Sequence, residues 1–244
     1  MTPCRNTLLA FDTATESMSV GVSVAGRVFV HEAPGGAQAS ATLIPAIMGL
    51  LSGAGITLQG LDGIAFGRGP GAFTGARTAC SVAQGLAFGA SRPVLPVDTL
   101  QAVAEDARGG AGEATVWVAM DARMGEIYAA RYRFATGVWQ VLDAPMLTTS
   151  QALNARWRQQ APEVVAGNAL TAFADTLRPG PARTAPGALP RATAMLALAQ
   201  ALWDAGGAVD AASALPLYVR DKVAQTSAER DAARLAKEAV VIPR

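Results

Sequence analysis

The sequence predicts an α/β protein in which two related units follow one another along the chain. Each half begins with a short apolar run that ends in a carboxylate, residues 7–12 (TLLAFD) in the first half and residues 115–121 (TVWVAMD) in the second. In both halves a hairpin pattern follows the run, and helical patterns follow the hairpin. The length of 244 residues allows one large domain or two modest ones, each with its own core.

The elements of the first unit are predicted from changes in the apolar spacing. Alternation over 17–24 and the turn at Ala25-Gly26 predict a hairpin with 27–31. From Ser40 onward, apolar residues recur every three or four positions, which predicts a helix capped by Ser40 and ended by Gly53 or Gly55. The remaining predicted elements are a strand at 62–66, a glycine-dense turn at 67–75, a helix at 76–89, a strand at 93–97 and a helix at 99–107.

The second unit is predicted from the same patterns. The dipeptide Thr136-Gly137 predicts a hairpin of strands 126–134 and 138–142. The further predicted elements are helices at 150–160, 169–177 and 193–205, a strand at 163–166 and a Pro- and Gly-rich loop at 178–190. The charged segment 225–244 is predicted to be a short helix or a partly disordered end.

The composition limits the classes of function. Hydrophobic residues make up 51% and charged residues 16% of the chain, as in a compact globular protein. The net charge of +1 argues against a protein that binds nucleic acid by itself, so we expect any contact with nucleic acid to be indirect, supported by the charge of a partner. Cys4 and Cys80 lie far apart and are expected to be reduced thiols. No apolar run approaches the ~20 residues of a membrane span, and we expect a cytoplasmic protein.

The segment that follows the first strand, Asp12-Thr13-Ala14-Thr15, is a candidate ligand site. A carboxylate at a strand end with adjacent hydroxyl groups can hold hydrated Mg²⁺ while loop amides meet phosphate. Alternatively, Asp12 and Thr13 form hydrogen bonds with the neighbouring loop and stabilise this part of the protein. We favour the structural alternative.

The glycine-dense turn could cradle an anion, because its glycines allow close backbone approach and a helix begins after it. Its candidate residues are Gly69, Gly71, Thr74, Gly75 and Arg77. The turn lacks the Lys-Ser/Thr ending of a P-loop. A structural turn is the favoured alternative, with Phe73 in the core and Arg77 paired with a carboxylate.

Catalytic constellations are not apparent in the sequence. His31 is the only histidine, and no G-x-S-x-G elbow surrounds a serine. The segment Asp121-Ala122-Arg123-Met124-Gly125-Glu126 contains groups that could act in acid–base chemistry. The simpler interpretation is a strand–turn–strand in which Arg123 pairs with Asp121 or Glu126.

Four segments together resemble the TsaB family, and their order and spacing support the resemblance over nearly the whole chain. They are LLAFDTATES (8–17), GPGAFTGAR (69–77), DARMGEIY (121–128) and PLYVR (216–220). The resemblance implies the actin–sugar kinase–Hsp70 (ASKHA) fold, in which mixed sheets flanked by helices form two ribonuclease-H-like lobes. We expect an N-terminal lobe at 1–100, to which 214–244 returns, and a smaller C-terminal lobe at 101–213.

The resemblance implies a partner subunit without catalytic activity. In this family picture, the paralogue TsaD transfers threonylcarbamoyl from threonylcarbamoyl-AMP to the adenosine beside the anticodon in tRNAs that read codons beginning with A. The ATPase TsaE completes the set. Active members of the wider fold usually have glycine where this chain has Ala14. An ATP-dependent kinase or ATPase and a metallopeptidase are the alternatives.

No metal or cofactor is expected. TsaD-type proteins carry an H-x3-H metal site after the strand equivalent to 93–97, and its histidines align with Thr99 and Val103 here. Valine cannot ligate a metal, and a threonine hydroxyl is a poor ligand for Fe²⁺ or Zn²⁺.

The helices at 40–53 and 76–89 are the predicted partner interface. The first has apolar residues over a wider face than one core requires. By resemblance, the two helices are expected to pack on the equivalent pair of TsaD, or on a second copy of this chain when it is alone. The predicted interface residues are Leu43, Ile47, Leu50, Leu51, Val82 and Leu86. The alternative is that both stripes lie inside one protein core.

Overall fold

A computed structural model describes residues 5–220, apart from the side chain of Ala37. Cys4 and the predicted helix or disordered end at 225–244 lie outside the described residues. The strands are β1 Leu8–Asp12, β2 Ser17–Val24, β3 Arg27–Pro34, β4 Gly63–Gly67, β5 Val94–Val97, β6 Ala114–Asp121, β7 Ile127–Ala135, β8 Val138–Thr148, β9 Val164–Ala166 and β10 Arg183–Ala185. The helices are α1 Ala39–Gly53, α2 Phe73–Ala90, α3 Thr99–Arg108, α4 Ser150–Gln159, α5 Ala169–Ala172 and α6 Ala192–Asp204.

The two sheets repeat one topology. The first has the order β3-β2-β1-β4-β5 and the second the order β8-β7-β6-β9-β10. In the first sheet β1 pairs antiparallel with β2 and parallel with β4. In the second, β6 pairs antiparallel with β7 and parallel with β9. The prediction of two related units is therefore confirmed, and the chain has the ASKHA fold.

Side chains of the central strands alternate between the two faces of each sheet, and those on both faces are buried against helices. Leu9 and Phe11 of β1 lie in a core with α1 and α2, whereas Leu8 and Ala10 lie in a core with α3 and α6. In the second sheet, Val116 and Val118 of β6 pack with α3. Residues on the other face of β6 pack with α4.

Two helices lie between the sheets and contact each other. Helix α3 follows the first sheet along the chain but packs on β6, while α6 follows the second sheet but packs on β1. This exchange joins the two halves through an apolar layer. We propose residues 1–100 and 101–213 as the division into lobes, and use "first lobe" and "second lobe" for the parts built on the two sheets.

Several predicted boundaries were wrong, and one strand was missed. Helix α1 starts before Ser40, and its N-cap is Gln38, without a side-chain hydrogen bond. Helix α2 starts at Phe73, inside the predicted glycine turn. The predicted helix at 169–177 is helical only over Ala169–Ala172. Strand β10 was missed because its three residues gain their order by pairing with β9.

Candidate functional site

The carboxylate of Asp12 is sealed inside the first lobe. Asp12 is fully buried, and its Oδ1 accepts a hydrogen bond of 2.7 Å from the amide of Ala14. The Thr99 hydroxyl donates to Asp12 Oδ2 at 2.6 Å. The same hydroxyl accepts from the Gly69 amide at 3.1 Å. Thr99 thus joins the loop after β1 to the glycine turn.

This burial changes the acidity of Asp12. Removal from water raises the pKa of its carboxyl from 3.8 to about 6, against the opposing effect of the bonds from Thr99 and Ala14. The charged form is therefore costly in the folded chain. The geometry fits the structural role favoured for Asp12 better than coordination of a hydrated cation.

The glycine turn presses directly on the loop after β1. A Cβ on Gly75 would lie 1.9 Å from the Thr13 carbonyl oxygen, and one on Gly71 would lie 2.4 Å from that of Ala14. The Thr13 hydroxyl donates to the Gly75 carbonyl at 2.7 Å. The two segments predicted to cradle an anion are thus packed on each other, and the glycines serve that close approach.

Beyond this contact, the turn ends in an exposed aromatic stack. The Arg77 guanidinium lies 3.8 Å from the Phe73 ring centroid, and its Nε donates to the Tyr218 hydroxyl at 2.7 Å. Phe73 is 37% exposed, so its expected place in the core was wrong. Within residues 5–220 Arg77 pairs with the Tyr218 hydroxyl and not with the expected carboxylate. Thr74 is exposed at the start of α2.

In the second lobe, the segment after β6 forms an open turn with unusual backbone angles. Arg123, Met124 and Gly125 have φ values of 62°, 57° and 78°. The Arg123 amide donates to Asp121 Oδ1 at 2.8 Å, and its guanidinium reaches Asp121 Oδ2 at 3.2 Å. The predicted pairing of Arg123 with Asp121 is confirmed, and Arg123 also pairs with Glu16 of the first lobe.

A cleft of about 330 Å³ lies between the loops of the two lobes. Gly71, Ala72 and Phe73 line it from the first lobe, while Asp121 and Arg123 line it from the second. Its charged lining residues are Glu16, Asp121, Arg123 and Arg220. Carboxylates and guanidinium groups therefore balance, which is a poor match to a polyphosphate. Among the predicted anion-binding residues, Gly71 is the one that lines the cleft.

Arg220 is a site residue whose role sequence reasoning missed. Its guanidinium is 2.9 Å from Glu126 Oε2 and donates to the Ala122 carbonyl at 2.9 Å. The separation of about a hundred residues hides this contact, although PLYVR and DARMGEIY had both been singled out as segments. Glu126 pairs with Arg220 rather than with Arg123.

The predicted interface helices expose fewer apolar residues than expected. Leu43, Ile47 and Leu51 are at most 1% exposed, because they lie in the core that α1 and α2 form with the first sheet. They are therefore not accessible to a partner. Leu50, Val82 and Leu86 are partly buried against that core. Apart from Phe73 at the start of α2, the exposed large apolar side chains of the two helices are Ile44 (47%) and Met48 (49%) on α1 and Phe88 (60%) on α2. We call Ile44, Met48 and Phe88 the helical face.

The two positions where the resemblance led us to look for metal ligands, Thr99 and Val103, carry structural side chains. Thr99 makes the hydrogen bonds described above, and Val103 of α3 is fully buried in the core with β6. Within residues 5–220, no three His, Cys, Asp or Glu side chains gather where they could share a metal ion. In the same range, every helix is too short or too polar to cross a bilayer. Cys80 is buried with a free thiol.

Comparison with known proteins relates the whole described architecture to one group. A family model described as "TsaD: tRNA N6-adenosine threonylcarbamoyltransferase" matches residues 30–174. The Escherichia coli tRNA threonylcarbamoyladenosine biosynthesis protein TsaB is 34% identical over 226 residues, covering 89% of this chain and 96% of that protein. Its Haemophilus influenzae counterpart is 35% identical over 230 residues, covering 89% and 94%.

The solved structure of YeaZ from Pseudomonas aeruginosa has a TM-score of 0.80 and 37% identity, covering 87% of this chain and 99% of that one. A second P. aeruginosa structure, described as similar to peptidase YEAZ, has a TM-score of 0.81 and 37% identity, covering 88% and 100%. The sequence and structural matches cover 87–89% of this chain and so extend over both lobes. The chain therefore belongs to the TsaB family of tRNA threonylcarbamoyladenosine biosynthesis proteins.

Proposed function

We propose that this chain is the non-catalytic, activating subunit of the complex that makes threonylcarbamoyladenosine in tRNA. In this proposal it binds TsaD, which transfers threonylcarbamoyl from threonylcarbamoyl-AMP to N6 of the adenosine beside the anticodon. TsaE joins the larger complex, tRNA is contacted indirectly, and the complex works in the cytoplasm. Family membership supports the pathway, and the site geometry supports the division of labour.

The buried Asp12 carboxylate is the observation that carries the non-catalytic role. A kinase or ATPase of this fold would use the strand-end carboxylate and adjacent loops to hold metal and phosphate. Here the carboxylate is buried and bonded to Thr99 and Ala14, and the glycine turn fills the space beside Thr13. The positions aligned with the metal ligands of TsaD-type proteins hold Thr99 and Val103, which support the fold.

The helical face is the proposed contact with TsaD. Helices α1 and α2 pack against each other and cover one side of the first sheet. Their outer side carries Ile44, Met48 and Phe88, while added Cβ atoms at Gly85 and Gly89 of α2 would meet nothing within 4 Å. Small residues beside large apolar ones allow another helix to approach closely. A stable contact would bury roughly 800 Å² on each partner.

The first experiment is reconstituted tRNA modification with labelled threonine, bicarbonate, ATP and the purified pathway proteins. Product should require this chain together with TsaD, and the chain alone should give none. If omission of the chain left product formation unchanged, the activating role would be wrong. ATP hydrolysis by the lone chain that Asp12→Ala abolished would instead favour an ATPase.

A pair of variants tests the interface. Ile44→Glu combined with Met48→Glu should weaken binding to TsaD at least tenfold and reduce product formation, because charges would be buried in an apolar contact. The same change should weaken any self-association through this face. Val138→Glu is the matched control, since Val138 is 55% exposed on the edge strand β8 of the second lobe.

The control should bind TsaD like the parent chain, and circular dichroism should show all variants folded. Unchanged binding of the helical-face variant would place the contact elsewhere. Ile47 was the obvious target from the sequence, but its burial means that Ile47→Glu would disrupt the core instead.

A further inference from the structure

Residues 214–220, which we call the strap, run from one lobe to the other. At the first lobe, the Ala214 carbonyl accepts from Cys80 Sγ at 3.3 Å and from Gln84 Nε2 at 3.1 Å. The Leu217 amide donates to the Arg68 carbonyl at 2.7 Å. The strap is thus tied to α2 and to the glycine turn before it reaches the cleft.

Tyr218 is the last anchor on the first lobe. Its hydroxyl accepts from Arg77, and its ring centroid lies 5.7 Å from that of Phe73. Arg77 lies over both rings, at 3.8 Å from the Phe73 centroid and 5.6 Å from the Tyr218 centroid. Two aromatic faces around one guanidinium make a directional contact rather than a loose apolar one.

The next two residues belong to the second lobe. Val219 packs against the core formed by α3, β6 and β7. The Arg220 side chain is only 10% exposed, and it bonds to Glu126 and to the Ala122 carbonyl. Its Nη1 also lies 3.1 Å from the Met124 sulfur. Arg220 therefore contacts the turn at both ends, Ala122 and Glu126, and at Met124 in its middle.

The gripped turn has a backbone that needs support. Arg123 and Met124 are consecutive non-glycine residues in the left-handed region, with φ values of 62° and 57°. Such conformations persist where the surrounding structure determines them. Within the turn, the Ala122 amide donates to Glu126 and the Glu126 amide donates to Arg123. Arg220 adds support from outside the turn, as does the Glu16 carboxylate that pairs with Arg123.

We propose that the strap is a clamp, in which Tyr218 and Arg220 hold the 122–126 turn against the first lobe and so set the width of the cleft. This inference goes beyond the proposed function and does not depend on it. The other bridge, Glu16 with Arg123, has side chains 80% and 69% exposed. Water and salt weaken such a pair, whereas the Arg220 contacts are largely shielded.

Hydrogen exchange of the full chain tests the clamp at its second-lobe end. Arg220→Met should speed exchange of the 122–127 amides at least tenfold and leave α1 unchanged. Arg123→Met removes the exposed bridge and is the control, with an expected change below threefold. The clamp is overturned if Arg220→Met exchanges like the parent chain. It is also overturned if the control has an equal effect, or if all amides of the chain accelerate together.

A second variant separates a clamp from a local contact. Tyr218 anchors the strap on the first lobe, where its ring and hydroxyl contact Phe73 and Arg77. Tyr218→Leu should nevertheless accelerate the 122–127 amides, because the strap loses its anchor. Tyr218→Phe keeps the ring stack and should give a smaller acceleration. If Tyr218→Leu affected only amides near Phe73 and Arg77, Tyr218 would be a local contact and the clamp would be wrong.

Discussion

The first strand of each sheet ends in an aspartate, and the two aspartates share one local hydrogen bond but have opposite surroundings. Asp12 Oδ1 accepts from the amide two residues later at 2.7 Å, and Asp121 Oδ1 does the same at 2.8 Å. The second oxygen of Asp12 meets the buried Thr99 hydroxyl, whereas that of Asp121 meets the exposed Arg123 guanidinium. The two sheets therefore share the turn at the end of the first strand. The neighbouring loops determine whether the aspartate in that turn is buried or lies beside exposed groups.

The largest expected effect comes from disturbing the close packing between the glycine turn and the loop after β1. Gly75→Ala places a Cβ 1.9 Å from the Thr13 carbonyl oxygen, so backbone must move. The free energy of unfolding should fall by about 3 kcal/mol, at the upper end for overpacking. Gly85→Ala in the same helix is the control, since its Cβ meets nothing within 4 Å. It should stabilise the chain by about 0.5–1 kcal/mol through helix propensity.

Urea unfolding of the lone chain measures both glycine variants. Equal changes for Gly75→Ala and Gly85→Ala would mean that the loop after β1 can move away at little cost. The description of the first-lobe loop as sealed would then be wrong.

A smaller effect is expected when each aspartate loses its side-chain partner. Thr99→Val keeps the shape but leaves Asp12 Oδ2 and the Gly69 amide without the Thr99 hydroxyl, which should cost about 2 kcal/mol. Arg123→Met removes the partner of Asp121 at an exposed site and should cost less than about 1 kcal/mol. Chemical unfolding curves compare the two variants. A larger loss for Arg123→Met would reverse the comparison between the lobes.

The smallest expected effect is on how the free energy of unfolding depends on pH. The Asp12 pKa is raised from 3.8 to about 6, so the folded chain binds a proton more tightly than the unfolded chain. Its contribution to the free energy of unfolding should therefore increase as pH falls from 7 to 5, by about 1 kcal/mol. Asp12→Asn should remove this component from a series of unfolding curves. A pH profile that Asp12→Asn left unaltered would show that the carboxylate is not desolvated.

Regular spacing made most of the framework predictable from the sequence. Apolar runs ending in Asp12 and Asp121 located the central strands, and the turns at Ala25-Gly26 and Thr136-Gly137 located both hairpins. These signals are local, because side-chain periodicity and turn chemistry act over a few residues. Local signals failed at β10, which has three residues and is held by pairing, and at Ser40, where a preceding turn extends the helix.

The sequence by itself determined the two related units, the family resemblance and the segments that carry it. Only the tertiary structure decided which apolar residues of α1 face the core, since Leu43 and Ile44 are neighbours on a helix that is apolar nearly all round. It also decided that Arg220 meets Glu126, a contact between segments far apart in sequence. Burial and long-range pairing depend on how segments far apart in sequence pack in the folded chain. Local patterns, which act over a few residues, do not encode that packing.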